Sequence, residues 1–329
     1  MGLKPIRMLL IGAGFMGRIH LDAARKLAPV KYVGVVDVNE RLARKLAASF
    51  GLKAYTDPET AIDATRPDAV DLCVPTPWHR PMVAICAARG VHVLCEKPIA
   101  LARSDALAIK TLAAKTGIRI MIAHVLRFWP EYAFTAAAAR QGRFGKIRAV
   151  ECRRLSPPPG WNSWMMRPGL GDGAVVDLQI HDMDFIVQLL GKPAAVRADG
   201  VQQGGAFNSV ANRLYYPSGA VVLVKASFMM PASYPFRMAF LVEFEKGVID
   251  LDSWRPKGEQ LRIYPARGKA ICPKLEQGNA YGAEIDYFVR RLRDGKPFSR
   301  VPLDESIAAL DLCLASKRSC VTGRSVCLK

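Results

Sequence analysis

Three glycines and one aspartate are spaced as in a site that binds a dinucleotide. Gly12, Gly14 and Gly17 follow a short apolar run in the order G-x-G-x-x-G, and Asp37 ends a second apolar run. Such glycines allow a tight turn and a close approach of backbone to a pyrophosphate, which a helix N-terminus attracts. The pattern predicts a dinucleotide site whose loop includes Phe15 and Met16. The alternative is a purely structural glycine turn.

Asp37 bears on which dinucleotide would bind. A carboxylate at this position accepts hydrogen bonds from the adenosine ribose hydroxyls and repels a 2′-phosphate. The sequence therefore favours NAD over NADP. Arg41 and Arg44 lie close by in the sequence and could partly offset that repulsion.

Lys97 is the first candidate for the chemical step. The segment Glu96-Lys97-Pro98 closes an apolar run that begins near Val91. An ammonium at such a strand end could hydrogen-bond a substrate hydroxyl, stabilise the developing alkoxide or relay a proton. The alternative is an ordinary charged residue at a strand end. Pro98 is also a candidate for a cis peptide bond.

Asp177 and His181 are the second pair of candidates. They lie four residues apart on a helix predicted over 176–190, so their side chains would share a face. Asp184 and Gln188 continue this polar stripe. An acid beside an imidazole can handle a proton near neutral pH. The alternative is a solvated face of an amphipathic helix.

The first 125 residues alternate short apolar runs with helical segments, which predicts a parallel sheet covered on both faces. Strands are predicted at 6–11, 32–37, 69–74, 91–95 and 118–123, with a short one near 54–55. Helices are predicted at 15–28, 39–50, 79–89 and 102–116. Ligands bind beyond the carboxyl ends of such strands. The glycine loop, Asp37, the turn Pro75-Thr76-Pro77 and Glu96-Lys97-Pro98 should therefore share one edge.

The pattern changes after about residue 125, which predicts a dinucleotide-binding domain at 1–125 and a second domain at 126–329. Successive β-like runs predict a largely antiparallel sheet; they lie at 146–155, 195–203, 209–216, 219–229, 236–245 and 247–252. Helices at 176–190, 280–294 and 303–319 would flank it. The segment 156–173, rich in Pro, Gly and Trp, is typical of a long functional loop. The expected class is α/β: a doubly wound Rossmann domain followed by an α+β domain.

Composition narrows the class of protein. A chain of 329 residues predicts two domains, and no apolar stretch approaches the 18 residues of a membrane-spanning helix. Eight cysteines without a C-x-x-C pair indicate a reducing compartment, the cytoplasm by default. The formal net charge of +18 is spread along the chain, so a solvated basic surface is favoured over nucleic-acid binding. The five scattered histidines predict no metal site.

The long loop also supplies candidates for substrate contacts. Trp161, Trp164 and Arg167 could form a wall, because aromatic faces suit the apolar faces of sugar rings. Arg153, Arg154 and Arg167 could favour an anionic substrate such as a sugar acid or nucleotide sugar. The alternative is that these arginines are ordinary surface residues.

Over essentially its full length the chain resembles the glucose–fructose oxidoreductase/inositol dehydrogenase/MocA family. The matching stretches are GAGFMGRIH at 12–20, PTPWH at 75–79, GVHVLCEKPIA at 90–100, RFWP at 127–130 and GDGAVVDLQIHDMD at 171–184. The resemblance implies a Rossmann domain and a C-terminal domain with a large open sheet. It further implies that this sheet forms the contacts of a homodimer or homotetramer, and that the substrate lies between the domains.

The resemblance also implies roles for particular residues. Lys97 corresponds to the catalytic lysine, and Asp177 and His181 to the catalytic acid and histidine. Thr76 and His79 correspond to a loop near the nicotinamide ribose, and Arg127 to a further cofactor-site arginine. One departure is Asp172, where the family more often has glycine.

These features together predict an NAD(P)-dependent oxidoreductase that transfers a hydride to or from a carbinol carbon of a sugar, cyclitol or derivative. Either Lys97 or His181 would be the formal base. Two alternatives stay open: a glycosidase or lyase that uses bound NAD transiently, and a non-catalytic NAD-binding regulator.

Overall fold

The computed structural model describes residues 4–160, 163–276 and 278–328, which pack into two compact units. The first unit runs to Phe128 and includes a return segment, Gly278–Ser306. The second runs from Trp129 to the return segment and resumes at Ile307. The sequence-based boundary at 125 did not include the return segment. That segment joins the first unit because its helix, Ala280–Arg293, packs against the helix Phe15–Ala24.

In the described part of the first unit, six parallel strands form a sheet in the order β3-β2-β1-β4-β5-β6. The strands are β1 (Ile6–Ile11), β2 (Val30–Val36), β3 (Ala54–Tyr55), β4 (Ala69–Leu72), β5 (His92–Glu96) and β6 (Ile120–Ala123). Every residue of β4 and β6 is buried, as expected for strands covered on both faces. The order places the carboxyl ends of β1, β2, β4 and β5 side by side.

Within the described ranges, six α-helices belong to the first unit, and a side chain caps the N-terminus of three of them. They are α1 (Phe15–Ala24), α2 (Glu40–Phe50), α3 (Pro58–Thr65), α4 (His79–Ala88), α5 (Arg103–Thr116) and α8 (Ala280–Arg293). Asn39 caps α2, and Gly51 ends it in the left-handed conformation. Helix α3 was not predicted, although Asp57 caps it and Pro58 occupies its first turn. Helices α1, α2, α4 and α5 confirm the predicted alternation, whereas α8 was predicted to flank the sheet of the second domain and instead belongs to the first unit.

The second unit is built on a mostly antiparallel sheet, eight-stranded within the described residues, in the order β13-β12-β11-β7-β10-β9-β8-β14. Its strands are β7 (Ile147–Leu155), β8 (Ala195–Gln203), β9 (Ala206–Tyr215), β10 (Val221–Ser227), β11 (Arg237–Phe244), β12 (Gly247–Asp252), β13 (Leu261–Pro265) and β14 (Val326–Cys327). Within the described part of this second sheet, only β7 and β10 pair in parallel. Strands β13 and β14 were not predicted. The α/β class with a second α+β part is confirmed.

Three helices accompany this sheet: α6 (Pro130–Arg140), α7 (Ile180–Leu190) and α9 (Leu303–Thr322), whose first residues belong to the other unit. Helix α7 is shorter than the predicted 176–190, because a short 3-10 helix at Gly173–Val175 and a turn precede it. Strand β10 alternates exposed and buried residues, so one sheet face leaves Val221 and Leu223 exposed. No helix in the described ranges has the length and apolarity that crossing a membrane requires.

Candidate active site

The glycine loop after β1 has the conformation that its three glycines were predicted to provide. Gly12 has a φ of +105°, and a Cβ there would lie 2.4 Å from the carbonyl oxygen of Cys73. A Cβ on Gly17 would lie 2.0 Å from the carbonyl oxygen of Gly12, so the helix could not lie this close to the turn. A Cβ on Gly14 would meet nothing within 4 Å. Packing therefore requires glycine at positions 12 and 17, whereas Gly14 faces open space.

Asp37 lies at the end of β2, directly beside this loop. Its Oδ2 accepts a hydrogen bond from the backbone N–H of Ala13 at 2.8 Å, and its Oδ1 accepts one from Asn39 at 2.8 Å. The carboxylate therefore ties the loop to the neighbouring strand. No side chain caps the N-terminus of α1 at Gly14. The residues fit a dinucleotide: α1 can receive the pyrophosphate, and Asp37 the ribose hydroxyls.

The turn after β4 is fastened to the turn after β5 by His79. The Nδ1 atom of His79 lies 2.9 Å from the carbonyl oxygen of Pro98, and its Nε2 atom 3.1 Å from that of Val74. The ring is fully buried, and burial lowers the pKa of His79 although these carbonyls oppose the shift. Thr76 is buried in the same turn. His79 thus joins two loops that were predicted to meet at one edge.

Lys97 leaves β5 at that edge, one residue after its last strand residue. The peptide bond between Lys97 and Pro98 is cis, as predicted. The backbone N–H of Lys97 donates a hydrogen bond to Oε2 of Glu96 at 3.1 Å. Glu96 is buried, whereas Lys97 is half-buried. The sheet edge therefore carries the glycine loop, Asp37, the Thr76 turn and Lys97 together.

Glu96 belongs to a buried polar cluster that was not predicted from the sequence. His20 Nδ1 lies 3.0 and 3.1 Å from the two carboxylate oxygens of Asp71, and His20 Nε2 forms an ion pair with Glu96 Oε1 at 3.1 Å. The phenol of Tyr32 donates to Asp71 at 2.5 Å. Two signals were present: a histidine on the helix after the glycine loop, and an aspartate inside an apolar strand.

The cluster includes atoms at metal-ligand spacing, contrary to the expectation from the scattered histidines. One ligand atom each of His20, Asp71 and Cys73 lies within 4.8 Å of the other two. However, His20 and Tyr32 already satisfy Asp71, and burial raises the pKa of the Cys73 thiol far above its usual range. We therefore interpret this group as a hydrogen-bonded ionic cluster.

Arg127, predicted from the resemblance to contact the cofactor, is buried in the first unit. One guanidinium nitrogen donates to Glu305 at 2.6 Å and to the carbonyl oxygen of Arg300 at 2.8 Å. Arg300 in turn donates to the carbonyl oxygen of Arg127 and lies over the ring of Phe128. These contacts fasten the return segment to the end of the first part of the unit. A role toward the cofactor stays a prediction.

Asp177 and His181 belong to the second unit, and they do not share one helix. Asp177 lies in the turn before α7, with its backbone N–H bonded to Gly173, and His181 lies in the first turn of α7. Asn212 on β9 holds this turn by donating to the side-chain oxygen of Gln179 at 2.8 Å. Asp177 and Asp184 are buried and His181 is half-buried, so this is not a solvated face.

The glycines before this turn and Asp172 shape the loop. A Cβ on Gly171 would lie 2.4 Å from the carbonyl oxygen of Met165, and Gly173 has a φ of +71°. Asp172, in the left-handed conformation, accepts from the N–H of Gly169 and pairs with Lys317 at 2.7 Å. The aspartate that departs from the family pattern therefore fastens the loop to α9.

The loop and strand arginines differ in their surroundings. Arg154 is neither on the surface nor available to a substrate, because it pairs in the core with Asp182 at 2.8 and 3.0 Å and donates to Tyr132. Arg153 pairs with Glu151. Arg167 is exposed and Trp164 half-buried, so both stay candidates for substrate contacts. Trp161 lies outside the described residues.

A glycine loop, an aspartate after the next strand and a lysine at the same edge are features of a nicotinamide-dependent oxidoreductase. The family model "Oxidoreductase family, NAD-binding Rossmann fold" matches residues 6–124, and that of the GFO/IDH/MocA C-terminal domain matches residues 132–250. The chain belongs to the Gfo/Idh/MocA family, and it is an NAD(P)-dependent oxidoreductase.

Individual relatives are similar over nearly the whole chain. Inositol 2-dehydrogenase of Rhizobium meliloti (strain 1021) is 28% identical over 98% of both chains. D-xylose 1-dehydrogenase (NADP(+)) 2 of Haloferax volcanii is 25% identical over 96% of this chain and 98% of its own. The crystal structure of a myo-inositol dehydrogenase from Corynebacterium glutamicum superposes with a TM-score of 0.83 at 25% identity, over 99% of both chains.

Proposed function

We propose that this protein is a dehydrogenase acting on the CH–OH group of a cyclitol, a sugar or a sugar derivative. The observation that carries the proposal is the position of Lys97. It stands at the carboxyl end of β5, two strands from the glycine loop that ends β1 in the same parallel sheet. An ammonium at this edge lies where a substrate hydroxyl must be handled beside a nicotinamide.

Proton handling is assigned to three side chains. In the direction of oxidation, Lys97 hydrogen-bonds the reacting oxygen and stabilises its developing negative charge. His181 accepts the hydroxyl proton, because imidazole is basic enough near neutral pH. Asp177 stabilises the charged form of the imidazole. A bound nicotinamide would supply the hydride acceptor, held by the glycine loop with Asp37.

NAD is proposed as the preferred cofactor. Asp37 is fixed beside the glycine loop by two backbone N–H groups, so a 2′-phosphate there would face a held negative charge. Arg44 is engaged by Glu40 at 2.6 Å, which leaves it a weaker counter-charge for such a phosphate. One relative is named for NADP(+), so both cofactors belong in the test.

A cyclitol is proposed as the substrate, because three full-length relatives are named inositol or myo-inositol 2-dehydrogenases. Arg167 supports an anionic group on the substrate, since it is the exposed arginine of the loop. A homodimer or homotetramer is supported by the exposed apolar residues Val221 and Leu223 on one sheet face. The cytoplasm is proposed as the location, because the eight cysteines include no C-x-x-C pair and suit a reducing compartment.

The test is a panel of cyclitols, sugars and sugar acids with NAD and NADP in parallel, followed at the absorbance band of the reduced nicotinamide. We expect turnover with at least one polyol and a higher kcat/KM with NAD. Lys97→Met should lower kcat on the order of 10² to 10⁴-fold. Lys115→Met, an exposed lysine on α5, is the matched control. Undiminished turnover in Lys97→Met would overturn the proposed role of Lys97.

A further inference from the structure

The cluster of His20, Asp71 and Glu96 is buried, and none of its members takes part in the proposed proton transfer. His20 and Asp71 are fully buried, and Glu96 is 7% exposed. The three groups come from three elements, α1, β4 and β5. Buried charges are retained at a cost in desolvation unless partners compensate them. We therefore expect this cluster to hold a neighbouring part of the structure in place.

Glu96 connects the cluster to Lys97. One carboxylate oxygen, Oε1, is paired with His20 Nε2 at 3.1 Å, and the other, Oε2, accepts the backbone N–H of Lys97 at 3.1 Å. On its other side His20 is held by both oxygens of Asp71, which is held in turn by Tyr32. A continuous chain of polar contacts thus runs from the sheet interior to the backbone of Lys97.

The charge of His20 fits this arrangement. Burial opposes the charged form, yet Asp71 raises the pKa of His20 well above its usual value of 6.5. Among the described residues, the ring is faced by Asp71 from β4, Cys73 after β4, Glu96 from β5 and the ring of Tyr281 from α8 at 5.9 Å. An imidazolium between two carboxylates can hold both of them.

We propose that His20 is a positioning residue for Lys97: through Glu96 it fixes the turn from which the Lys97 side chain projects. This inference rests on the proposed catalytic role of Lys97. His20 acts on the reaction only by holding that turn, so the placement of the ammonium over the reacting oxygen depends on it. Misplacement of a reacting group by about 1 Å costs on the order of 10²-fold in rate.

The first test is His20→Asn, measured for kcat, for KM of both substrates and for binding of reduced nucleotide by fluorescence. We expect kcat to fall on the order of tenfold to a hundredfold, with nucleotide binding changed less than about threefold. His92→Asn is the matched control. His92 begins β5, the strand that Glu96 ends, and its ring accepts a hydrogen bond from the backbone N–H of Arg119. This variant should leave kcat unchanged.

A double-mutant cycle separates positioning from general support of the fold. If His20 acts through Lys97, then His20→Asn added to Lys97→Arg should lower kcat by much less than it does alone. An equal loss in both backgrounds, or an unchanged kcat in His20→Asn, would overturn the inference. Glu96→Gln keeps an acceptor for the Lys97 N–H but removes the charge that pairs with His20. If His20→Asn does not fold, Glu96→Gln replaces it in the same double-mutant cycle with Lys97→Arg.

The two proposals fail in different ways. Full turnover in both Lys97→Met and Lys97→Arg would overturn the catalytic role of Lys97 and this inference with it. A severe loss in Lys97→Met with full activity in His20→Asn and Glu96→Gln would overturn this inference alone.

Discussion

Two buried ionic clusters, one in each unit, lie beside predicted catalytic residues. The imidazole cluster, His20 with Asp71 and Glu96, ends one residue before Lys97. The guanidinium cluster, Arg154 with Asp182 and Tyr132, ends one residue after His181. In both clusters, the acid adjacent in sequence to the predicted catalytic residue is held by a cation in the core. Each unit therefore has, next to a predicted catalytic residue, an acid that a buried cation holds.

The two clusters differ in the cation. Arg154 binds Asp182 with two nitrogens in a planar, bidentate contact, and its pKa is raised further by Asp182 although burial opposes this. A guanidinium does not lose its proton in the accessible pH range. His20 serves two carboxylates from two strands but can lose its charge. This difference predicts that the stability of the first unit depends on the charge of His20 and therefore on pH, whereas the Arg154 cluster contributes no such dependence.

Removal of the guanidinium should have the largest effect on stability. Arg154→Met leaves Asp182 as a buried charge without its cation, which we expect to lower the free energy of unfolding by about 3–5 kcal/mol. Urea unfolding measures this loss. Arg153→Met, on the exposed neighbour paired with Glu151, should lose far less.

A second variant tests the cause of that loss. If the unpaired charge is responsible, Arg154→Met combined with Asp182→Leu should recover most of the stability. If Arg154→Met lowers the free energy of unfolding by less than about 1 kcal/mol, as expected for an exposed ion pair, the Arg154 cluster does not stabilise its unit as a buried ion pair would.

The pH dependence of stability should come next in size. Because the folded state raises the pKa of His20, the stabilisation is complete below the unfolded value of about 6.5 and is lost as pH rises through the folded value. Unfolding in urea should therefore show a lower free energy at about pH 8 than at about pH 6. His20→Asn should reduce this difference, and Arg154→Met should keep it. Equal slopes in the wild type and His20→Asn would contradict the comparison.

The smallest effect is expected for a partly exposed pair, which sharpens the contrast with buried ones. Asp172→Asn keeps an acceptor for the N–H of Gly169 and tolerates the left-handed conformation, but it loses the charge opposite Lys317. We expect a loss of roughly 0.5–1 kcal/mol, reduced further at high salt. A loss as large as that in Arg154→Met would show that solvent does not screen this pair.

Much of the fold and part of the site were predictable, and particular residues show where prediction ended. The alternation of apolar runs and helices located β1 to β6, and the glycine spacing located the loop that Gly12 and Gly17 form. Helix α7 was predicted to begin at 176, because its apolar pattern continues back through the preceding turn. Arg154 appeared to be a candidate for anion binding, because a sequence does not show its partner, Asp182.

The sequence alone determined what depends on neighbours along the chain: the glycine turn, the capped helices, the apolar strands and the acid at the end of β2. These follow from backbone sterics and hydrophobic periodicity, which act over a few residues. Only the tertiary structure decided that His20 meets Asp71, 51 residues away, and that Gly278–Ser306 returns to the first unit. Such contacts depend on which strands become neighbours in the sheet, and this is set by the packing of the whole unit.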